Sequence, residues 1–188
     1  MINKLKSIIF GPDYSEMQKD FEDDIIKLSK IKEKAENYYR NGDFYCSESI
    51  IKTFIEEFNL DLPDDVIAMA SAFPVGMGNS GCSCGAVIGA QMMLGYFFGR
   101  RQAGSNKVNK TMELSAELHD YFREEHGSLC CRVLTKDYKI GSKDHIKQCV
   151  DFTGEMAYVA AEKICKELEI EYEDIYQINE ENFKKISE

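Results

Sequence analysis

The most constraining feature of this chain is an apolar stretch with two cysteines at its start. Residues 82–98 read CSCGAVIGAQMMLGYFF, with a single amide and no charged side chain. A segment that is apolar on nearly every side is typical of a helix surrounded by other helices. It is shorter than the roughly 20 residues that a bilayer requires, and glycines interrupt it, so a membrane span is not expected. We predict a buried central helix around which the other segments pack.

The cysteines at the start of this helix are placed where sulfur chemistry is favoured. The first turn of a helix leaves unpaired N–H groups and a partial positive charge, which stabilise a thiolate. Gly85 and Gly89 remove side chains from one face and let another backbone approach closely. Cys84 is therefore a candidate for metal or redox chemistry. The alternative is an inert core thiol, since free cysteine is among the most buried residue types.

Composition narrows the classes of function. The net charge of -10 and the isoelectric point near 4.9 argue against a nucleic-acid partner, because such a partner needs clustered Lys and Arg. At 188 residues the chain suffices for one domain with a sizeable core. Seven cysteines without a recognisable export signal are typical of a reduced protein whose thiols bind metal or do redox work. We therefore expect a cytoplasmic location.

Helical periodicity recurs along most of the chain, and no strongly alternating strand pattern emerges. The predicted helices span about residues 16–40, 44–58 with Asp43 as a cap, 63–73, 84–98, 108–125 and 143–168, with a short turn or helix at 129–134. The predicted fold is all-α, a single-domain helical bundle around the glycine-containing central helix. We expect an N-terminal arm and helix start (1–29), a main domain (30–168) and an acidic tail (169–188) with one or two short surface helices.

Four cysteines fall at or near the starts of different predicted elements: Cys46, Cys84, Cys131 and Cys149. A site assembled from several helix N-termini would have this pattern, since each positive helix end favours a thiolate. Cys165 cannot share a centre with Cys149, because an unbroken helix between them would separate the two by roughly 24 Å. Cys165 is therefore assigned to the core.

Two further cysteines and the histidines have weaker assignments. Cys82 and Cys130 each lie within two residues of a stronger candidate and could be a spare ligand, a resolving thiol or a small side chain. His126 is predicted to be a solvated residue at a helix end, although it lies close to the cysteine pair. His119 and His145 are predicted to be surface residues.

The motifs of this chain resemble those of a known family. The segments DFYCSESI (43–50), CGAVIG (84–89) and GSLCCRVL (127–134), followed by Cys149, are similar to the redox-active protein family named for its C_GCAxxG_C_C pattern. The resemblance extends over about residues 30–168. It implies that Cys46, Cys84, Cys131 and Cys149 are the four cysteines of the family, and that Gly85, Ala86 and Gly89 form its central motif.

The same resemblance suggests a cofactor. The family is related to the non-haem part of the split-Soret cytochromes, which implies an iron-sulfur cluster held by the four thiols. A homodimer is expected, as in the haem-bearing relatives. The chain has no C-x-x-C-H sequence, so covalent haem attachment is not expected.

Three functions follow as hypotheses. The leading one is an electron-transfer or redox protein with an iron-sulfur cluster on the four cysteines, tuned by backbone N–H groups near Gly81, Gly85, Ala86 and Gly89. It would exchange electrons with a redox partner protein or a small redox molecule.

The alternatives need no iron. One is a metal-free thiol-disulfide oxidoreductase in which Cys84 attacks and Cys46, Cys82 or Cys131 resolves, although the chain offers no C-x-x-C pair. The other is a structural zinc site, which four thiolates also satisfy but which usually shows paired short spacings.

Overall fold

The described part of the chain is almost entirely helical, which confirms the all-α prediction. The structure is a computed structural model, and it describes residues 14, 17, 18, 20, 21 and 25–174. In chain order its elements are β1 (Ile26–Lys27), α1 (Leu28–Asn41), α2 (Cys46–Glu57), α3 (Asp65–Ala70), α4 (Pro74–Met77), α5 (Gly85–Phe98), α6 (Lys107–His126), α7 (Cys131–Leu134), α8 (Lys143–Leu168) and β2 (Tyr172–Glu173). Within the described ranges, no helix is both long and apolar enough to cross a membrane.

Helix α5 is the predicted central helix. It begins after Cys84, whose extended backbone forms the N-cap, and it ends at Gly99. Helices α2, α6 and α8 pack against it and bury nine of its fourteen residues, while Ile88, Met92 and Tyr96 lie on a half-buried face. No residue of α5 is fully exposed, so a charge would be at least partly desolvated on any face, which explains why the segment carries none.

Helices α2 and α5 lie backbone against backbone at Gly89. A Cβ atom there would lie 2.9 Å from both Cα and the carbonyl oxygen of Ser47. The Ser47 hydroxyl is fully buried and donates a hydrogen bond to the carbonyl of Ala70 at 2.9 Å. Because backbone meets backbone here, the neighbouring Cys46 is held beside the first turn of α5.

Aromatic rings join α2 and α5 at their other ends. Phe54 and Phe58 stack with ring centroids 5.2 Å apart, and Phe58 meets Phe97 edge to face at 5.3 Å. All three side chains are almost fully buried. Aromatic packing of this kind adds to burial in fixing how the two helices align, so the thiol-bearing end of α2 cannot slide along α5.

Helix α8 has the predicted bounds and packs along α1. Gly154 permits the close approach, because a Cβ atom there would collide with the carboxylate of Glu36. Cys165, near the C-terminal end of α8, is fully buried and belongs to the core, as predicted. The C-terminal half of α1 thereby lies against the N-terminal half of α8, which places Tyr39 near Cys149.

The predicted helix over 16–40 is confirmed at Met17, Gln18 and from Leu28 onward, but it is wrong at residues 20, 21 and 25–27, and residues 16, 19 and 22–24 lie outside the described part of the chain. Ile26 and Lys27 pair in parallel with Tyr172 and Glu173, and the helix begins only at Leu28. The N–H group of Ile26 donates to the carbonyl of Glu171 at 3.0 Å, a partner distant in sequence. Local periodicity cannot reveal such a pairing.

Other boundaries also differ from the predictions. Tyr45, not Asp43, is the N-cap of α2, and the Glu48 carboxylate accepts a hydrogen bond from its N–H group at 2.9 Å. Helix α3 ends at Ala70, whereas a helix to about residue 73 was expected. The tail begins with β2 instead of a helix. The arm over residues 1–13 and the tail over 175–188 lie outside the described residues.

Candidate functional site

Four thiols from four separate segments line one cavity. Cys46 is the first residue of α2, Cys84 precedes α5, Cys131 begins α7, and Cys149 lies in the second turn of α8. The cavity has a volume of about 20 Å³, room for roughly one water molecule. Its remaining lining residues are Tyr39, Val75, Gly85, Ala86, His145 and Phe152. The structure thus brings together all four cysteines that the sequence singled out.

Two glycines make the room for these sulfurs. A Cβ atom on Gly85 would collide with the sulfur of Cys46. Gly76 has a φ of +70°, and a Cβ atom on it would lie 2.8 Å from the Cβ of Cys131. Backbone without side chains therefore forms part of the cavity wall, as close approach to a cofactor requires.

Two of the four predicted cofactor-binding residues, Gly85 and Ala86, line the cavity. Gly89 instead contacts α2 one turn further along. Gly81 does not line the cavity, and its carbonyl accepts hydrogen bonds from the N–H group of Arg132 at 3.0 Å and from the thiol of Cys130 at 3.1 Å.

The hydrogen bonds of Gly81 also give Cys131 and the adjacent Cys130 different surroundings. They hold residues 81–84 beside residues 129–132, and the N–H group of Cys84 donates to the carbonyl of Leu129 at 2.8 Å. Cys131 is consequently buried at the cavity, whereas the half-buried Cys130 bonds to backbone. Cys82 is exposed and does not line the cavity.

The loop before α5 has an unusual backbone. Val75, with φ +53° and ψ +35°, occupies the left-handed region, which a β-branched residue adopts only at a cost of about 1–3 kcal/mol. In this conformation its N–H group donates a hydrogen bond to the sulfur of Cys46. The sequence predicted a tight glycine-rich loop here, but nothing in it identified the valine as a strained position.

Burial dominates the electrostatics of the thiols. It raises the pKa of Cys46 to about 12 and that of Cys149 to about 11, from an ordinary value of 9.0. The pKa values of Cys84 and Cys131 are also raised, first of all by burial. Hydrogen bonds from the N–H groups of Ala86 and Val87 oppose the rise at Cys84 but do not overcome it.

The stabilisation of thiolates by N–H groups at helix ends, which the sequence predicted, is therefore present, but the effect of burial on the pKa is larger. In the absence of a cation, these thiols hold their protons at neutral pH. A metal ion in the cavity would reverse the preference, because it replaces the protons and stabilises the thiolates.

The metal-free protein is expected to lose stability as the pH rises above about 9. A group whose pKa is raised on folding contributes its full stabilisation below its unfolded pKa and loses it as the pH passes through the folded pKa. For Cys46 and Cys149 this window extends from about 9 to about 12. Melting temperatures of reduced, chelator-treated protein between pH 8 and 11 test this. The melting temperature of a Cys46→Ser/Cys149→Ser variant should fall less steeply over this pH range. An equally steep fall would mean that other groups cause the loss of stability.

Two residues at the cavity were missed by the sequence analysis. His145 was predicted to lie on the surface, which is wrong: it is 4% exposed, and its Nε2 lies 3.8 Å from the sulfur of Cys149. The hydroxyl of Tyr39 hydrogen-bonds to the same sulfur. The spacing of His145 and Cys149 by four residues could have indicated a shared helix face. Tyr39 gave no such signal, since it simply continues the apolar stripe of α1.

The other two histidines do not line the cavity. His119 is exposed, as predicted. His126 is half-buried and not a solvated helix end: its Nε2 lies 2.8 Å from a carboxylate oxygen of Glu155. Its ring also packs against Phe152, a lining residue of the cavity, at 4.6 Å between centroids.

The thiols surround the cavity without forming a closed metal site. In the described residues, no group of three or more His, Cys, Asp or Glu side chains is arranged to hold a metal ion as it stands. The donor chemistry nonetheless fits a thiolate-bound metal centre, because four cysteines and Gly85 line one cavity.

Comparison with known proteins gave one match. A family model described as "Putative redox-active protein (C_GCAxxG_C_C)" matches residues 44–163, more than half of the chain. All four cavity cysteines fall within the matched residues. No curated protein and no solved structure gives a significant match.

Proposed function

Since the chain belongs to the C_GCAxxG_C_C family of redox-active proteins, we propose that it is an electron-transfer protein whose Cys46, Cys84, Cys131 and Cys149 hold an iron-sulfur cluster. The strongest support is that these four thiols line one cavity although they come from four different segments. Four cysteine thiolates are the usual ligand set of such clusters, which supply one-electron transfer when bound.

The surroundings of the sulfurs also suit a cluster. Cys46 accepts hydrogen bonds from the N–H groups of Val75 and Ser47, and Cys84 accepts them from Ala86 and Val87. Hydrogen bonds to the ligating sulfurs and exclusion of solvent are the means by which a protein tunes the potential of a cluster. Loading requires the thiols to move apart, since the cavity is about 20 Å³. Cys131 lies on α7, a single turn of helix, whereas Cys46 and Cys149 lie on long packed helices.

Zinc and thiol-disulfide chemistry are less well supported. Zinc has no redox chemistry, whereas the family is named for redox activity. Thiol exchange needs an accessible thiolate, but Cys84 is 6% exposed and burial raises its pKa. The exposed candidate, Cys82, lies outside the cavity.

Anaerobic reconstitution with ferrous iron and sulfide tests the proposal. After desalting, we expect iron and sulfide bound in about equal amounts and a broad visible absorption that dithionite weakens, since charge transfer from sulfur to iron is stronger in the oxidised cluster. Zinc without iron would support the structural site instead. A colourless, iron-free protein with reversible disulfides would support the oxidoreductase.

A surface-thiol variant controls for adventitious iron. Cys82 is exposed and Cys130 is half-buried outside the cavity, so both can bind iron nonspecifically. The Cys82→Ser/Cys130→Ser variant is expected to retain the iron, the sulfide and the absorption of the unmodified protein. Loss of all three in this variant would contradict the assignment of the four ligands.

A further inference from the structure

Cys149 differs from the other cavity cysteines in the hydrogen bonds that its sulfur can accept. Cys46 and Cys84 are contacted by backbone N–H groups. The sulfur of Cys149 instead faces two polar side chains, Tyr39 from α1 and His145 from the first turn of its own helix. Side-chain donors can be removed by substitution, so this sulfur offers a direct test of how the site is tuned.

The orientation of His145 follows from a backbone contact. The N–H group of Gly141 donates to Nδ1 of His145 at 3.3 Å. A backbone N–H group can only donate, so Nδ1 must present its lone pair. The imidazole is then neutral and carries its proton on Nε2, the nitrogen that lies 3.8 Å from the sulfur of Cys149.

The backbone that carries the ring is also fixed. The backbone N–H group of His145 donates to the hydroxyl of Ser142, the N-cap of α8, at 3.3 Å. His145 is 4% exposed, which keeps water from competing for Nε2. A metal ligand would need a lone pair on Nε2 and hence a proton on Nδ1, which would oppose the N–H group of Gly141.

Tyr39 completes the arrangement. Its hydroxyl hydrogen-bonds to the Cys149 sulfur, and a tyrosine hydroxyl is protonated at neutral pH, so it can donate to this sulfur. Its hydrogen bond favours the thiolate form of Cys149. Two donors from different helices thus converge on one sulfur.

We propose that Tyr39 and His145 are positioning residues that donate hydrogen bonds to the Cys149 sulfur, and that His145 is not a metal ligand. The inference rests on the proposed function, because it concerns the potential of the cluster that this sulfur would ligate. Donors to a ligating sulfur draw electron density from it and stabilise the reduced state, whose negative charge is greater. Together they raise the reduction potential of the site.

The first test needs no cluster. The chain has only three histidines, so their ring nitrogens can be assigned by ¹⁵N NMR of the metal-free, reduced protein. We expect His145 to carry its proton on Nε2, with Nδ1 unprotonated. A proton on Nδ1 would overturn the inference and would leave Nε2 free to bind metal. This result stands whether or not the protein binds iron.

The second test measures the reduction potential of the reconstituted protein. Tyr39→Phe and His145→Leu are each expected to lower the equilibrium constant for reduction about fivefold, the effect of one net hydrogen bond. His145→Gln, whose amide can donate from a similar position, should restore most of the loss. Unchanged potentials, or an equal shift in the Leu and Gln variants, would contradict the donor role. Equal iron content in all variants establishes that the ligands are intact, whereas absence of iron from the unmodified protein would contradict the proposed function itself.

Discussion

Replacing Cys84 with alanine is expected to lower the iron retained per chain about tenfold or more. Loss of a ligand removes a metal-sulfur bond outright, and even a changed partner of a ligand typically costs 10–100-fold in metal affinity. The same result is expected for Cys46, Cys131 and Cys149, because each contributes one sulfur to the cavity wall. Iron and sulfide analysis after anaerobic reconstitution and desalting measures the loss.

Cys165→Ala is the matched control for this substitution. Cys165 is as deeply buried as Cys84, and burial raises the pKa of both thiols. It belongs to the hydrophobic core near the C-terminal end of α8, however, and does not line the cavity. The control is expected to retain its iron. Equal losses in the two variants would show that iron retention depends on core packing and not on ligation.

Gly89→Ala and Gly95→Ala should change stability in opposite directions, although both residues lie in α5. At Gly89 the added Cβ would meet the backbone of Ser47 at 2.9 Å, and backbone cannot rotate away as a flexible side chain can. Overpacking of this kind costs typically about 1–3 kcal/mol. At Gly95 the added Cβ would meet open space beyond the backbone of its own helix, so the higher helix propensity of alanine is expected to stabilise by up to about 1 kcal/mol.

Urea denaturation of the reduced, metal-free protein measures both changes. The Gly89 variant should also retain less iron than the Gly95 variant, because α2 carries Cys46 at its first residue and would be pushed away from α5. Destabilisation of similar size at both positions would mean that α5 tolerates no added methyl group. The close contact at Gly89 would then have no special role in placing Cys46.

The features that the sequence determined by itself arise mostly from interactions between residues that are close in the chain. The all-α class, the central helix, the long last helix and the four cysteines at element starts follow from side-chain periodicity and from the chemistry of helix ends, which act over a few residues. The apolar character of residues 85–98 alone required that other helices surround it. The assignment of Cys165 to the core needed only the rise of a helix per residue.

Tertiary structure decided everything that depends on groups distant in sequence. The choice of Cys131 over Cys130 at the cavity follows from backbone hydrogen bonds to the segment before α5. Tyr39 and His145 reach the site because α1 packs along α8 and because Gly141 orients the imidazole. The parallel pairing of β1 with β2 joins segments nearly the length of the domain apart. Such contacts depend on the relative placement of whole elements, which the periodicity of a single segment does not encode.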